Sequence, residues 1–107
     1  MSYQISHHRV LNASVEKVWD IIADHRGLSR WLVPGMKVRL EPEGVPAPNG
    51  VGAIRYIERS GFRVAEEVLV FEAPHHMAYT VLSGFPIKNH RGDIHLSHKD
   101  GQCELSW

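Results

Sequence analysis

The side chains best suited to chemistry in this sequence are Arg55, Glu66, Tyr79, His90 and Trp31, and for each of them a functional reading stands beside a plainer one. Ser60-Gly61 reads as a two-residue hairpin turn, because glycine tolerates the positive φ that such a turn requires. With that loop Arg59 pairs with Phe62, and stepping back sets Arg55 opposite Glu66 and Glu58 opposite Arg63, each an opposite-charge pair. Turned into a cavity, an Arg55–Glu66 pair can hydrogen-bond a carbonyl or hydroxyl of a bound molecule. Turned outward, it is a solvated ion pair contributing only about 0–1 kcal/mol.

Tyr79 shares a strand face with Val81. Its phenol is either a donor to a ligand oxygen and a general acid, or an ordinary strand residue with a polar tip. Asp100-Gly101 reads as a second hairpin turn, which sets Leu96 opposite Leu105. Counting by twos puts His90 on the apolar face of that hairpin, as a base or donor within a pocket or as a structural or rim histidine, while Arg91, Asp93, His95 and Ser97 share the opposite face. Trp31 precedes Pro34-Gly35 and either lines a cavity mouth or packs in the core; Trp19 is read as core.

Other chemistries find less support. His7-His8 and His75-His76 resemble metal ligands, but adjacent strand residues point to opposite faces and no acid or cysteine completes a set at useful spacing, so no metal is expected. There is no Gly-x-Ser-x-Gly elbow, Cys103 reads as a strand residue without an activated setting, and neither a dinucleotide-binding glycine pattern nor a P-loop occurs. No cofactor is expected.

The elements that must hold these residues begin with a strand within Tyr3–Leu11. Ser14 then reads as the N-cap of a helix whose buried stripe is Val15, Val18, Trp19 and Ile22, with Gly27 ending it and a short second turn over Leu28–Trp31. A strand over Met36–Leu40 follows, and the proline and glycine content of Glu41–Gly52 reads as a long exposed loop. From Ala53 onward five strands in succession, Ala53–Arg59, Phe62–Phe71, Met77–Leu82, Lys88–His98 and Gln102–Trp107, imply an antiparallel meander.

Composition sets the class. The 107 residues, 43% apolar and 22% charged, fit one globular domain. Twelve Lys and Arg balance twelve Asp and Glu with no basic run, which argues against a nucleic-acid partner. A single cysteine, no apolar run long enough for a membrane span and no apolar signal-peptide core make a cytoplasmic protein the expectation.

Ala13-Ser14-Val15-Glu16-Lys17-Val18-Trp19, Trp31-Leu32-Val33-Pro34-Gly35, Gly52-Ala53-Ile54-Arg55, Glu66-Glu67-Val68, Ala73-Pro74 and Tyr79-Thr80-Val81 carry a resemblance that spans nearly the whole chain. In that order they resemble the START-like (SRPBCC) superfamily, in its polyketide cyclase/dehydrase and lipid-transport branch. The resemblance implies an α+β helix-grip: a curved antiparallel sheet, an N-terminal helix, a short second helix and a ligand cavity with polar strand residues such as Arg55 and Glu66 inside it. It also implies a long C-terminal helix gripped by the sheet, whereas the sequence stops at Leu105-Ser106-Trp107, so a C-terminally incomplete domain is expected, or a groove covered by a ligand or by a second copy in a homodimer. The implied function is binding of a small hydrophobic molecule such as a lipid, polyketide or aromatic metabolite. The alternatives are a polyketide cyclase or dehydratase in which Arg55, Tyr79 or His90 moves protons, and a co-chaperone-like protein-interaction domain.

Overall fold

Among the described residues seven strands and two short helices follow the capping and turn signals closely. The computed structural model describes residues 6–31, 35–84 and 91–107, with Ser29 and Trp31 described by backbone alone. In chain order the elements are β1 (His8–Leu11), α1 (Val15–Ile22), a 3-10 turn (His25–Gly27), α2 (Leu28–Trp31), β2 (Lys37–Leu40), β3 (Ile54–Arg59), β4 (Phe62–Glu72), β5 (His76–Ser83), β6 (Arg91–Lys99) and β7 (Gln102–Ser106). No helix among the described residues is long and apolar enough to cross a membrane.

Ser14 opens α1 as expected: its backbone is extended and its Oγ accepts from the Lys17 N–H at 3.2 Å. Val15, Val18 and Trp19 are buried along one side of α1, and Ile22 packs at their edge. The helix stops at Ile22 rather than running on to Gly27. Asp24 leaves helical backbone, with φ −84° and ψ 90°, and its carboxylate accepts from the Gly27 N–H, so Gly27 closes a separate 3-10 turn.

All strands lie in one antiparallel sheet of order β1-β7-β6-β5-β4-β3-β2. Both hairpin turns form, with left-handed backbone at Ser60 and Gly61 and at Asp100 and Gly101, and the registers match expectation: Arg55 faces Glu66, Glu58 faces Arg63, and Leu96 faces Leu105. Two register shifts between β4 and β5 bend this pair, since an extra residue on one strand of a pair raises its local twist. The concave face so formed packs on α1, where Trp19 meets Phe71 at 5.1 Å between ring centres. Met77, Tyr79, Ile94, Leu96 and Cys103 complete the core beneath the helix.

Residues 41–52 form the long, largely exposed loop read from their composition, with internal order of its own. Val45 and Val51 form an isolated bridge, and the Gly44 and Gly50 N–H groups bond the Pro48 and Pro46 carbonyls at 2.9 and 2.8 Å. Gly44 and Gly50 are buried where the two arms of the loop cross in backbone contact, a place with no room for a Cβ; the 45–47 tip is exposed.

Candidate functional site

A cavity of about 860 Å³ opens between α1 and the concave face of the sheet. Val18, Ile21 and Ile22 of α1 form one wall, and Ile57, Val64, Met77, Ile94 and Leu105 present one apolar side chain from each of β3 to β7. Strand alternation explains the lining: Met77 and Ile94 point inward while their chain neighbours His76, Asp93 and His95 point outward.

Three buried polar side chains interrupt this apolar wall, and Asn12, Glu58 and Arg59 line it where it is more exposed. Arg55 on β3 and Glu66 on β4 are 6% and 8% exposed, which decides the question left open by their sequence: the pair faces in. Arg55 Nε donates to Glu66 Oε1 at 2.7 Å. The Arg55 guanidinium also lies over the Tyr79 ring, 4.8 Å from its centre. Tyr79 is buried, and its hydroxyl accepts from the Trp107 indole N–H at 3.2 Å. Trp107 reaches that position because His7 and Trp107 exchange backbone hydrogen bonds of 2.6 and 2.8 Å, which extend the β1–β7 ladder past its last paired residues. Burial, ahead of the Trp107 bond that acts the other way, raises the Tyr79 pKa, so the phenol stays protonated at neutral pH.

A fourth group lies behind the wall. His25 is fully buried in the 3-10 turn, and its Nδ1 lies 3.1 Å from Arg55 NH1 while its Nε2 lies 2.9 Å from the Asn49 carbonyl oxygen. A guanidinium only donates and a carbonyl only accepts, so Nδ1 must carry the lone pair and Nε2 the proton. This is the neutral imidazole, and burial first, then the Arg55 charge, lowers its pKa from 6.5 to about 4. Asn49 Oδ1 also accepts from the His25 backbone N–H at 3.2 Å. A chain of contacts therefore runs from the 41–52 loop through Asn49, His25 and Arg55 to Glu66 in the cavity wall. The sequence reading did not single out His25; the only local sign was Asp24 as a cap three residues before Gly27.

Of the five residues expected at a site, Arg55, Glu66 and Tyr79 come together at the cavity. His90 lies outside the described residues, and Trp31 is described only as the last residue of α2. The histidine pairs behave differently from one another. His8 Nε2 pairs with Glu104 at 2.6 Å, and His75 Nδ1 donates to the Leu96 carbonyl at 3.0 Å. For His76 the reading that no acid completes a ligand set is corrected: β6 brings Asp93 and His95 to it, with the candidate ligand atoms all within 4.8 Å of one another.

The Tyr79 ring owes its place to Gly92, its cross-strand partner, where an added Cβ would fall 2.6 Å from the phenol oxygen. Gly92→Ala is expected to push the ring off the β6 backbone and cost about 1–3 kcal/mol by overpacking. Urea unfolding measures the loss, and a shift of the Trp107 indole N–H resonance reports the broken Tyr79 contact.

Residues 2–107 match the family model described as polyketide cyclase / dehydrase and lipid transport. The chain belongs to this START-like family. Its fold is similar to that of a Thermobifida fusca protein, with a TM-score of 0.78 at 22% identity over 96% of this chain and 69% of that one. The Aha1 dimer of Colwellia psychrerythraea gives 0.74 at 15% identity over 95% and 71%, and XoxI of Bacillus cereus gives 0.76 at 19% over 96% and 70%. No curated protein matches the sequence closely. At these identities the likeness is one of fold.

Proposed function

We propose that the chain acts as one domain that binds a small hydrophobic molecule, a lipid, polyketide or aromatic metabolite, in the cavity between α1 and the sheet. One observation carries the reading: a cavity of about 860 Å³ with largely apolar walls and, among the described residues, a buried polar cluster of Arg55, Glu66 and Tyr79. Ligand sites have this character, apolar for affinity with a few fixed polar groups for orientation, and fall in the range of about 300–1,000 Å³. The family description names both lipid transport and polyketide chemistry.

The cluster also narrows the ligand's polar end. Arg55 and Glu66 sum to no net charge, so a ligand carboxylate or phosphate drawn to the guanidinium would meet the Glu66 carboxylate beside it. A hydroxyl, which both donates and accepts, suits the pair better. Binding is favoured over proton transfer because Arg55 is held between Glu66 and His25, and the Tyr79 phenol, with its raised pKa and its contact to Trp107, is poorly suited to giving up a proton.

Ile57→Trp tests the reading by filling the cavity from β3. An uncharged lipophilic fluorophore is expected to bind the native chain saturably and the variant at least ~10-fold more weakly, with circular dichroism unchanged. Equal binding by both would mean that the probe sits outside the cavity and would overturn the proposal.

A further inference from the structure

We propose that His76, Asp93 and His95, on the face of the sheet turned away from the cavity, form a binding site for a divalent transition metal of the zinc type. His76 and His95 are direct partners across β5 and β6, and Asp93 sits one step along the same face, opposite Ala78. The two imidazoles stack with ring centres 4.1 Å apart and planes 17° apart, which presents nitrogens from both rings toward the same region as the Asp93 carboxylate. Two imidazoles and one carboxylate are a donor set that zinc accepts in tetrahedral sites, with ligand atoms about 2.0–2.2 Å from the metal. The candidate ligand atoms span up to 4.8 Å, and His95 is exposed, so its side chain can swing to close the set without moving the sheet.

The surrounding contacts are ones a bound metal can use. His76 Nε2 lies 2.8 Å from Asp93 Oδ1 while its Nδ1 lies 3.3 Å from Glu72 Oε1. A neutral imidazole has one N–H and can satisfy only one of these acceptors at a time. A metal on Nε2 resolves the competition: Asp93 Oδ1 becomes a second ligand, and Nδ1–H donates to Glu72, the carboxylate–histidine–metal arrangement that orients ligating imidazoles. Arg91 holds Asp93 by Nε to Oδ2 at 2.9 Å and by NH2 to Oδ1 at 3.1 Å. The Oδ2 bond can persist beside a bound metal and aim the carboxylate, while the NH2 bond gives way. The Arg91 charge opposes the cation, which with only three protein ligands sets the expected affinity in the micromolar range rather than tighter.

This site shares no residue with the cavity, so its fate and that of the ligand-binding reading are separable. Titration of the tag-free chain with zinc chloride near neutral pH, followed calorimetrically, is expected to give one saturable equivalent. His95→Gln and Asp93→Asn, both outside the core, are expected to weaken it ~10-fold or more, and Glu72→Gln by a smaller factor, with lipophile binding unchanged. Zinc affinity unaltered in both His95→Gln and Asp93→Asn would put the metal among others of the eight histidines and overturn the assignment. Absence of saturable binding at about 100 μM zinc, where a micromolar site is filled, would overturn it equally.

Discussion

Arg55→Met is expected to destabilise the fold by about 3–5 kcal/mol, because it leaves the Glu66 carboxylate buried beside an apolar side chain. Glu66→Leu should cost a comparable amount by stranding the guanidinium. The double variant Arg55→Met/Glu66→Leu is expected to be more stable than either single one, since replacing both partners of a buried pair removes two desolvation penalties together. Recovery should stop short of the native value, because the double variant still leaves His25 Nδ1 without its donor, a loss of about 1–3 kcal/mol. Urea unfolding of the four proteins gives the coupling energy directly. Strict additivity of the two single losses would mean that the 2.7 Å contact carries no energy of its own.

That pair also marks where the sequence was informative and where it was silent. Its register was legible because Ser60-Gly61 is a short turn of known geometry and because opposite charges fall opposite each other. Its direction was not, since Arg and Glu ordinarily face solvent and only the family resemblance turned them inward. On β3 the usual alternation is reversed in part: charged Arg55 faces the cavity, whereas aromatic Tyr56 faces out, covered by the Arg39 and Arg63 guanidinium groups 4.3 and 5.6 Å from its ring centre. A pattern of residue types cannot distinguish such a strand from one rotated by a residue.

His25 was illegible for another reason. Its partners Asn49 and Arg55 lie far along the chain, across a loop whose proline and glycine content disclosed irregular backbone but not that Gly44 and Gly50 would bring its two arms into contact. The outer cluster was hidden by connection length. The sequence between Ser83 at the end of β5 and Arg91 at the start of β6 is longer than a two-residue turn, so nothing local set His76 against His95. Short hairpins transmit register through sequence, and long connections do not.

Its buried contacts also make His25 an acid-sensitive element of the fold. Its unfolded pKa of 6.5 falls to about 4 in the native state, through burial first and the Arg55 charge second, against the opposing pull of the Asn49 carbonyl and the Asp24 carboxylate. Between these two values the unfolded chain binds more protons than the folded one, so this group's contribution to stability is full above pH 6.5 and is lost as the pH falls toward 4. The loss is on the order of 3 kcal/mol from the two pKa values, and below pH 4 it no longer grows. Its structural cause is direct: a proton on Nδ1 would face the Arg55 guanidinium, a repulsion that the Asp24 carboxylate offsets only in part. His25→Gln, which cannot titrate, should be less stable than the native chain at pH 7, and the gap between the two should close by that amount as the pH is lowered to 4. Urea midpoints measured for both proteins across this interval provide the test, since charges common to both cancel in the difference. A gap that stays constant would mean that His25 titrates alike in the folded and unfolded chain, and the contact chain from the 41–52 loop to the cavity wall would then lose its electrostatic link at Arg55.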